Sequence, residues 1–153
     1  MASRKSRIRH TLAIIFALLA SGVGYLWLTF ASPFGYNPTI ELPVIDEDAT
    51  YSVFVYGTLT KPWVRWLVMG RAGEGEPASL PGFKKEELDI KPVAGAVTKG
   101  QVITVDADEL RALDRYERLG VRYERRELTL NNGESVWVYR LMEPLILELE
   151  GEI

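Results

Sequence analysis

The stretch Leu110–Leu128, LRALDRYERLGVRYERREL, decides how the rest of the chain is read. Taken as a helix, its first half puts Leu110, Leu113, Asp114 and Glu117 at i, i+3, i+4 and i+7, one face of a 3.6-residue repeat. Two of the four are leucines and two are carboxylates, whereas a surface helix ordinarily turns its acids to the opposite side. The helix has a legible start, because Asp106 is a good N-cap and Glu109, three residues on, completes a capping-box pattern. After it, Arg122–Leu130 (RYERRELTL) and Ser135–Met142 (SVWVYRLM) read as the strands of a hairpin, with Asn132-Gly133 as its turn.

Upstream of the helix, Gly100–Val105 (GQVITV) is a clear strand. Further back, Tyr51–Gly57 (YSVFVYG) is a strand of β-branched and aromatic residues closed by a glycine. Thr60–Gly70 (TKPWVRWLVMG) reads as a short helix with Pro62 in its first turn and Gly70 at its end. Gly70–Gly82 (GRAGEGEPASLPG), broken by glycine and proline, reads as a loop. Mixed elements with hairpins after the helix point to an α+β fold rather than a doubly wound parallel sheet.

The N-terminal third is different in kind. Thr11–Ile40 contains no charged residue, and Leu12–Phe30 (LAIIFALLASGVGYLWLTF) is 19 mostly apolar residues, close to the length that spans a bilayer core of about 30 Å. Tyr25 and Trp27 suit an interfacial aromatic belt. Ala20-Ser21-Gly22 has the small residues of a signal-peptide cleavage site, but the apolar run continues past it, which favours an uncleaved signal anchor over residues 11–31. The first ten residues carry Arg4, Lys5, Arg7 and Arg9 and no acid, so the positive-inside rule leaves the N-terminus cytoplasmic and the C-terminal domain outside, periplasmic in a bacterium. The expected organisation is a basic tail (1–10), the anchor, a proline-bearing linker (32–50), a folded domain (51–145) and a C-terminal tail (146–153).

Charge and composition exclude several chemistries. The net charge is −3 for 153 residues, and with four basic residues in the tail the remainder holds 14 basic against 21 acidic residues, a balance of −7 that gives no support to nucleic-acid binding. There is no cysteine, hence no disulfide, thiolate metal site or cysteine nucleophile. The single histidine, His10, lies in the basic tail, which argues against a histidine base or histidine-ligated zinc in the folded part. Proton chemistry would fall to carboxylates, tyrosines, lysines or water.

Three features stand together: Val53–Leu59 (VFVYGTL), a strand running into a glycine turn; the Gly-x-Val strand at Gly100; and the helix end Leu-Asp-Arg-Tyr-Glu (113–117) followed by Tyr123-x-Arg125. In order and spacing this set resembles the gamma-glutamylcyclotransferase-like, or avirulence-induced-gene-like, family over roughly Tyr51 to Met142. The resemblance implies a small mixed β-barrel with flanking helices, here preceded by one transmembrane helix. It implies that Glu117 is the acid/base residue and that Tyr56, Gly57, Thr58 and Leu59 line the substrate pocket with backbone N–H groups, with Tyr123 as a pocket wall. It also implies release of 5-oxoproline from a gamma-glutamyl small molecule, without metal or organic cofactor. Such a reaction is physically economical. The substrate's own α-amine attacks its γ-amide carbonyl, so the protein mainly sets the attack geometry, and one half-buried carboxylate with a raised pKa can take and return the proton.

Plainer readings stand beside these. Glu117 could instead pair with Arg125 or Arg126 at the barrel rim, Asp114 reads as structural, and the same fold could serve as a non-catalytic binding or assembly module at the membrane. Trp63 and Trp66 read as a core or membrane-facing stripe. Two departures from the family pattern stand out: Arg118 and Leu119 separate the helix-end Glu from Gly120, and the segment after the Tyr-Gly-Thr-Leu turn is bulky and apolar, which bears on the substrate.

Overall fold

The aromatic and β-branched run Tyr51–Val55 forms strand β1, and Val53, Phe54 and Val55 are all buried, as in a strand covered on both faces. In the computed structural model, which describes residues 2–30, 36–38 and 40–142, β1 is the central strand of a five-stranded sheet. The order is β2 (Glu76–Glu86), β3 (Asp89–Val105), β1, β5 (Ser135–Leu141) and β4 (Tyr123–Thr129). The expected tail 146–153 and the first part of the expected linker lie outside the described residues.

Strand β1 runs antiparallel to β3 and parallel to β5, where Val53 faces Trp137 and Phe54 faces Val138. The β2–β3 and β4–β5 pairs are hairpins. The sheet curls into a half-barrel around Phe54, Leu80, Ile90, Val102, Leu130, Val136 and Val138. At one end its two edges meet, because the N–H of Asn131, in the turn after β4, donates to the Ser79 carbonyl on β2 (3.2 Å). Helices α2 (Pro62–Met69) and α3 (Ala107–Glu117) flank it, so the α+β fold with a small mixed barrel and flanking helices is the one found. Successive strand residues point to opposite faces. Phe54 and Val138 therefore enter the inner cluster, while Tyr139 turns the other way and reaches Asp114 on α3.

Two local expectations are corrected. The stretch expected as a loop, Gly70–Gly82, holds the first half of β2, and β3 is far longer than Gly100–Val105. Pro77 and Pro81 suggested a break, but β2 is an edge strand, where a missing N–H need not interrupt a ladder, and the register shifts between Pro81 and Phe83, around Gly82 (φ +78°). The β4–β5 turn takes three residues rather than two. Leu130 N–H donates to Glu134 O (2.9 Å), Gly133 N–H to Leu130 O (3.0 Å), and only Gly133 is left-handed, the geometry of a turn ending in a glycine bulge.

The chain falls into two compact units, 1–36 and 37–153. The first contains helix α1 (Ala2–Phe30), of which Ile8–Tyr25 is long and apolar enough to cross a membrane, with a mean hydropathy of 1.4. Its length and composition suit a membrane anchor or a signal segment. In the second unit, Pro38, Ile40 and Leu42 pack around Gly120, and Glu47 pairs with Arg111 of α3, so the extended segment before β1 is fastened to the domain.

Candidate active site

The site is built from two chain ends that the fold brings together. Strand β1 stops at Val55 and passes through Tyr56 and Gly57 into a single 3-10 turn, Thr58–Thr60. The first accepted bond of that turn is Thr60 N–H to Gly57 O (3.2 Å), so the N–H groups of Thr58 and Leu59 stand at its unsatisfied start. Helix α3 ends beside it, and Tyr116 Oη lies 3.1 Å from Thr58 Oγ1. The next residue, Glu117, closes the helix and enters the same cleft.

The buried guanidinium of Arg65, on α2, fixes the turn from behind. Its Nη1 donates to Leu59 O (2.9 Å), Thr60 O (3.1 Å) and Gln101 Oε1 (3.2 Å), its Nη2 to Gly73 O (3.2 Å), and its Nε to Ala72 O. The other chain end is also rigid. Leu119 N–H reaches back to Asp114 O (2.8 Å), the six-to-one bond of a Schellman ending. Arg118 takes the left-handed conformation (φ 54°, ψ 54°) that glycine would take more cheaply, at a cost of about 1–2 kcal/mol. Gly120 (φ +75°) leaves room for Pro38, Ile40 and Leu42, which an added Cβ would meet at 3.0–3.1 Å.

The resulting cavity has a volume of ≈ 60 Å³, room for about four to six water-sized groups. Its walls include Tyr56, Gly57, Thr58, Leu59, Glu117 and Tyr123, so the structure brings all six of the residues expected from the sequence to one cavity. Phe54, Val55, Leu88 and Tyr139 complete the lining. Apart from Glu117, no lining residue carries a charge.

The hydroxyls around the cavity are already committed. Tyr56 Oη donates to Tyr139 O (2.6 Å), Tyr139 Oη to Asp114 Oδ1 (2.5 Å) and Tyr123 Oη to Leu88 O (3.0 Å). Burial raises the pKa of all three, reinforced for Tyr139 by the Asp114 carboxylate and for Tyr123 by Glu117, so each holds its proton as a donor. Behind Tyr139, Asp114 stands 3.6 Å from Arg125, whose guanidinium lies over the Trp137 ring (5.0 Å). Burial pushes the Asp114 pKa up, and Tyr139 and Arg125 pull it back. Asp114 is thus structural, as its sequence context suggested.

Glu117 is the exception. Arg125 is taken by Asp114 and Arg126 by Glu124, so the rim ion pair that was the plain alternative does not form. Glu117 makes no hydrogen bond or ion pair among the described residues. Burial raises its pKa from 4.5 to about 7, against the opposing pull of Arg122. An unpartnered carboxylate with its pKa raised to about 7, in one cavity with the Tyr56–Leu59 turn, can take a proton at one stage of a reaction and return it at another.

Sequence reasoning missed Arg65, hidden in a segment that looked uniformly apolar, and Leu88 and Tyr139. Tyr139 was recoverable, because it alternates with the core residue Val138 and so faces the helix. The expectation that the bulky segment Trp63–Met69 shapes the pocket is overturned, since none of it lines the cavity, and of the two readings of its tryptophans the core one is excluded, because Trp63 and Trp66 are 62% and 60% exposed.

Comparison with known proteins agrees with this architecture. Residues 53–151 match the profile of the family described as gamma-glutamyl cyclotransferase, AIG2-like. A curated relative, AIG2-like protein C of Arabidopsis thaliana, is 31% identical over 90 residues, covering 54% of this chain and 51% of that protein. The chain thus spans about half the length of that relative. Two solution structures of Arabidopsis thaliana proteins superpose with TM-scores of 0.55 (27% identity, 72% of this chain and 73% of the other) and 0.53 (30% identity, 71% and 79%).

Proposed function

The chain belongs to the gamma-glutamyl cyclotransferase, AIG2-like family, and from that premise we propose that it is a membrane-anchored enzyme that cyclises a gamma-glutamyl amide to 5-oxoproline and a free amine. Glu117 is its acid/base. The carboxylate takes a proton from the substrate's α-ammonium. The freed amine nitrogen then attacks the γ-carbonyl carbon, forming the ring C–N bond and placing negative charge on the carbonyl oxygen. N–H groups at the start of the Thr58–Thr60 turn face that oxygen and stabilise the charge. The bond to the leaving nitrogen breaks as Glu117 returns its proton to that nitrogen; the ring nitrogen gives up its second proton to the departing amine, which leaves as an ammonium ion, and the carboxylate ends as it began. A pKa near 7 suits both halves of this cycle. Tyr56 and Tyr123 act as walls whose hydroxyls are held elsewhere, and Gly57 keeps the approach open, since nothing lies within 4 Å of where its Cβ would stand.

The observation that carries the reading is the unpartnered Glu117, raised to about 7, in the cavity formed with the Tyr56–Leu59 turn. The test offers the full chain, in detergent, a panel of gamma-glutamyl amines and peptides and measures 5-oxoproline. Release that Glu117→Gln abolishes supports the assignment. Folded protein that releases none from any substrate moves the reading to a non-catalytic binding module of the same fold.

The location is part of the proposal. Residues 11–31 anchor the chain in a bilayer, with residues 1–10 cytoplasmic and the domain, 51–145, on the far side. The basic tail before an acid-free apolar helix supports this orientation. A C-terminal reporter active only in the cytoplasm would reverse it.

A further inference from the structure

Helix α2 turns outward a face that the pocket chemistry does not use. Val64 and Arg65 are buried, whereas Trp63, Trp66 and Leu67 are 62%, 60% and 58% exposed. These three lie at i, i+3 and i+4, a single stripe. Two indoles and a leucine facing outward invert the usual surface helix, and indole is a side chain that settles at the boundary between hydrocarbon and water.

The local charge differs from that of the rest of the domain. Thr58–Gly73 carries Lys61, Arg65 and Arg71 and no acid, while the chain beyond residue 10 has a balance of −7. Arg65 is buried and Arg71 pairs with Glu109 (2.6 Å), which leaves Lys61 exposed at the start of the helix.

The same chain supplies the surface this stripe fits. Helix α1 ends at Phe30, and Pro38 already packs against Gly120 in the domain. At no more than about 3.5 Å per residue, the connection between them cannot exceed roughly 28 Å. A domain tethered on so short a connection presents its surface to the bilayer at high effective concentration, which favours an apolar stripe too small to bind lipid from free solution.

We propose that the Trp63–Trp66–Leu67 stripe is a lipid-docking surface, seated in the interface of the bilayer that α1 spans, with Lys61 at the level of the phosphates. This rests on reading α1 as an anchor. It also orients the pocket. Only Thr60 and Lys61 separate Leu59 from α2, and Arg65 ties α2 to the carbonyls of Leu59 and Thr60, so docking holds the N–H wall of the cavity beside the headgroups.

The absence of cysteine makes the test site-specific. The full chain is reconstituted into phosphatidylethanolamine–phosphatidylglycerol vesicles containing a lipid with a nitroxide high on its acyl chain. Three single-cysteine variants, each labelled with an environment-sensitive fluorophore, are compared: Leu67→Cys on the stripe, Leu19→Cys in α1, and Asn131→Cys at the exposed β4–β5 turn. The expected result is quenching at positions 19 and 67 about threefold or more above that at 131. Adding Trp63→Ser and Trp66→Ser should bring position 67 down to the level of 131 and leave 19 unchanged. Quenching at 19 with 67 no different from 131 would overturn the docking surface and leave the anchor standing. No quenching at 19 would overturn both. A blue shift at 67 without lipid quenching would mean that protein, such as a second copy of the chain, covers the stripe, and would also overturn the proposal.

Discussion

Replacing Glu117 by glutamine should stabilise the fold at alkaline pH while abolishing its chemistry. The cavity holds the carboxyl at a pKa of about 7 against the ordinary 4.5, and burial is the cause. The folded state therefore binds this proton more tightly than the unfolded chain does. Between the two values the folded protein carries the extra proton, so stability falls as pH rises. The contribution is complete below about 4.5 and is lost as pH climbs through 7. A gap from 4.5 to about 7, at about 1.4 kcal/mol per unit, is on the order of 3 kcal/mol. Glutamine has nearly the same shape and does not titrate. Urea unfolding of wild type and Glu117→Gln, followed by tryptophan fluorescence in the same mild detergent at pH 5 and pH 8.5, isolates the effect, because the other titrations are common to both chains. Because a little of the contribution is already lost at pH 5, the stability of the variant relative to wild type should increase by about 2.5 kcal/mol from the lower pH to the higher. If the two chains change in parallel, the carboxylate is solvated or paired, and the argument for a poised base fails.

Three further outcomes follow from the same geometry. The kcat/KM for 5-oxoproline release should rise with pH through an apparent pKa near 7 and then level, because Glu117 must be ionised to accept the first proton; a profile flat from pH 5 to 8 would remove it from that role. Arg65→Met leaves the carbonyls of Leu59 and Thr60 without their buried donor, so it should lower stability by about 2–3 kcal/mol in denaturant titration and reduce turnover by loosening the turn. Arg125→Leu strands the Asp114 carboxylate in the interior and should cost about 3–5 kcal/mol by thermal or urea unfolding, most of it recovered when Asp114→Asn is added.

Much of the site was legible because its residues sit on local patterns. The i, i+3, i+4, i+7 face that mixes Leu110 and Leu113 with Asp114 and Glu117 is visible in the letters, and the capping box at Asp106 and Glu109 fixes where that helix begins. The split between its two acids is not visible there. Asp114 faces Tyr139 and Arg125, Glu117 one turn later faces a cavity, and only the pairing of β5 with β1 decides which is which. Strand β2 was obscured for a similar reason. Its prolines forbid a central strand but are tolerated at an edge, and the sheet order that makes it an edge is a long-range property. Arg65 was hidden by its neighbours, since a cation among tryptophans and valines looks like an exposed residue until the carbonyls it closes over are in place. For the tryptophans the letters left a core and a membrane-facing stripe open, and the structure removes the first: the buried face of α2 belongs to Val64 and Arg65.

The most direct test of the central claim is the identity of the product when the full chain acts on a gamma-glutamyl amide in water enriched in oxygen-18. Attack by the substrate's own amine brings in no solvent oxygen, so mass spectrometry should find unlabelled 5-oxoproline, formed by wild type and absent with Glu117→Gln. Glutamate carrying one oxygen-18 would show that water is the nucleophile, and would contradict the account of Glu117 as the base for ring closure.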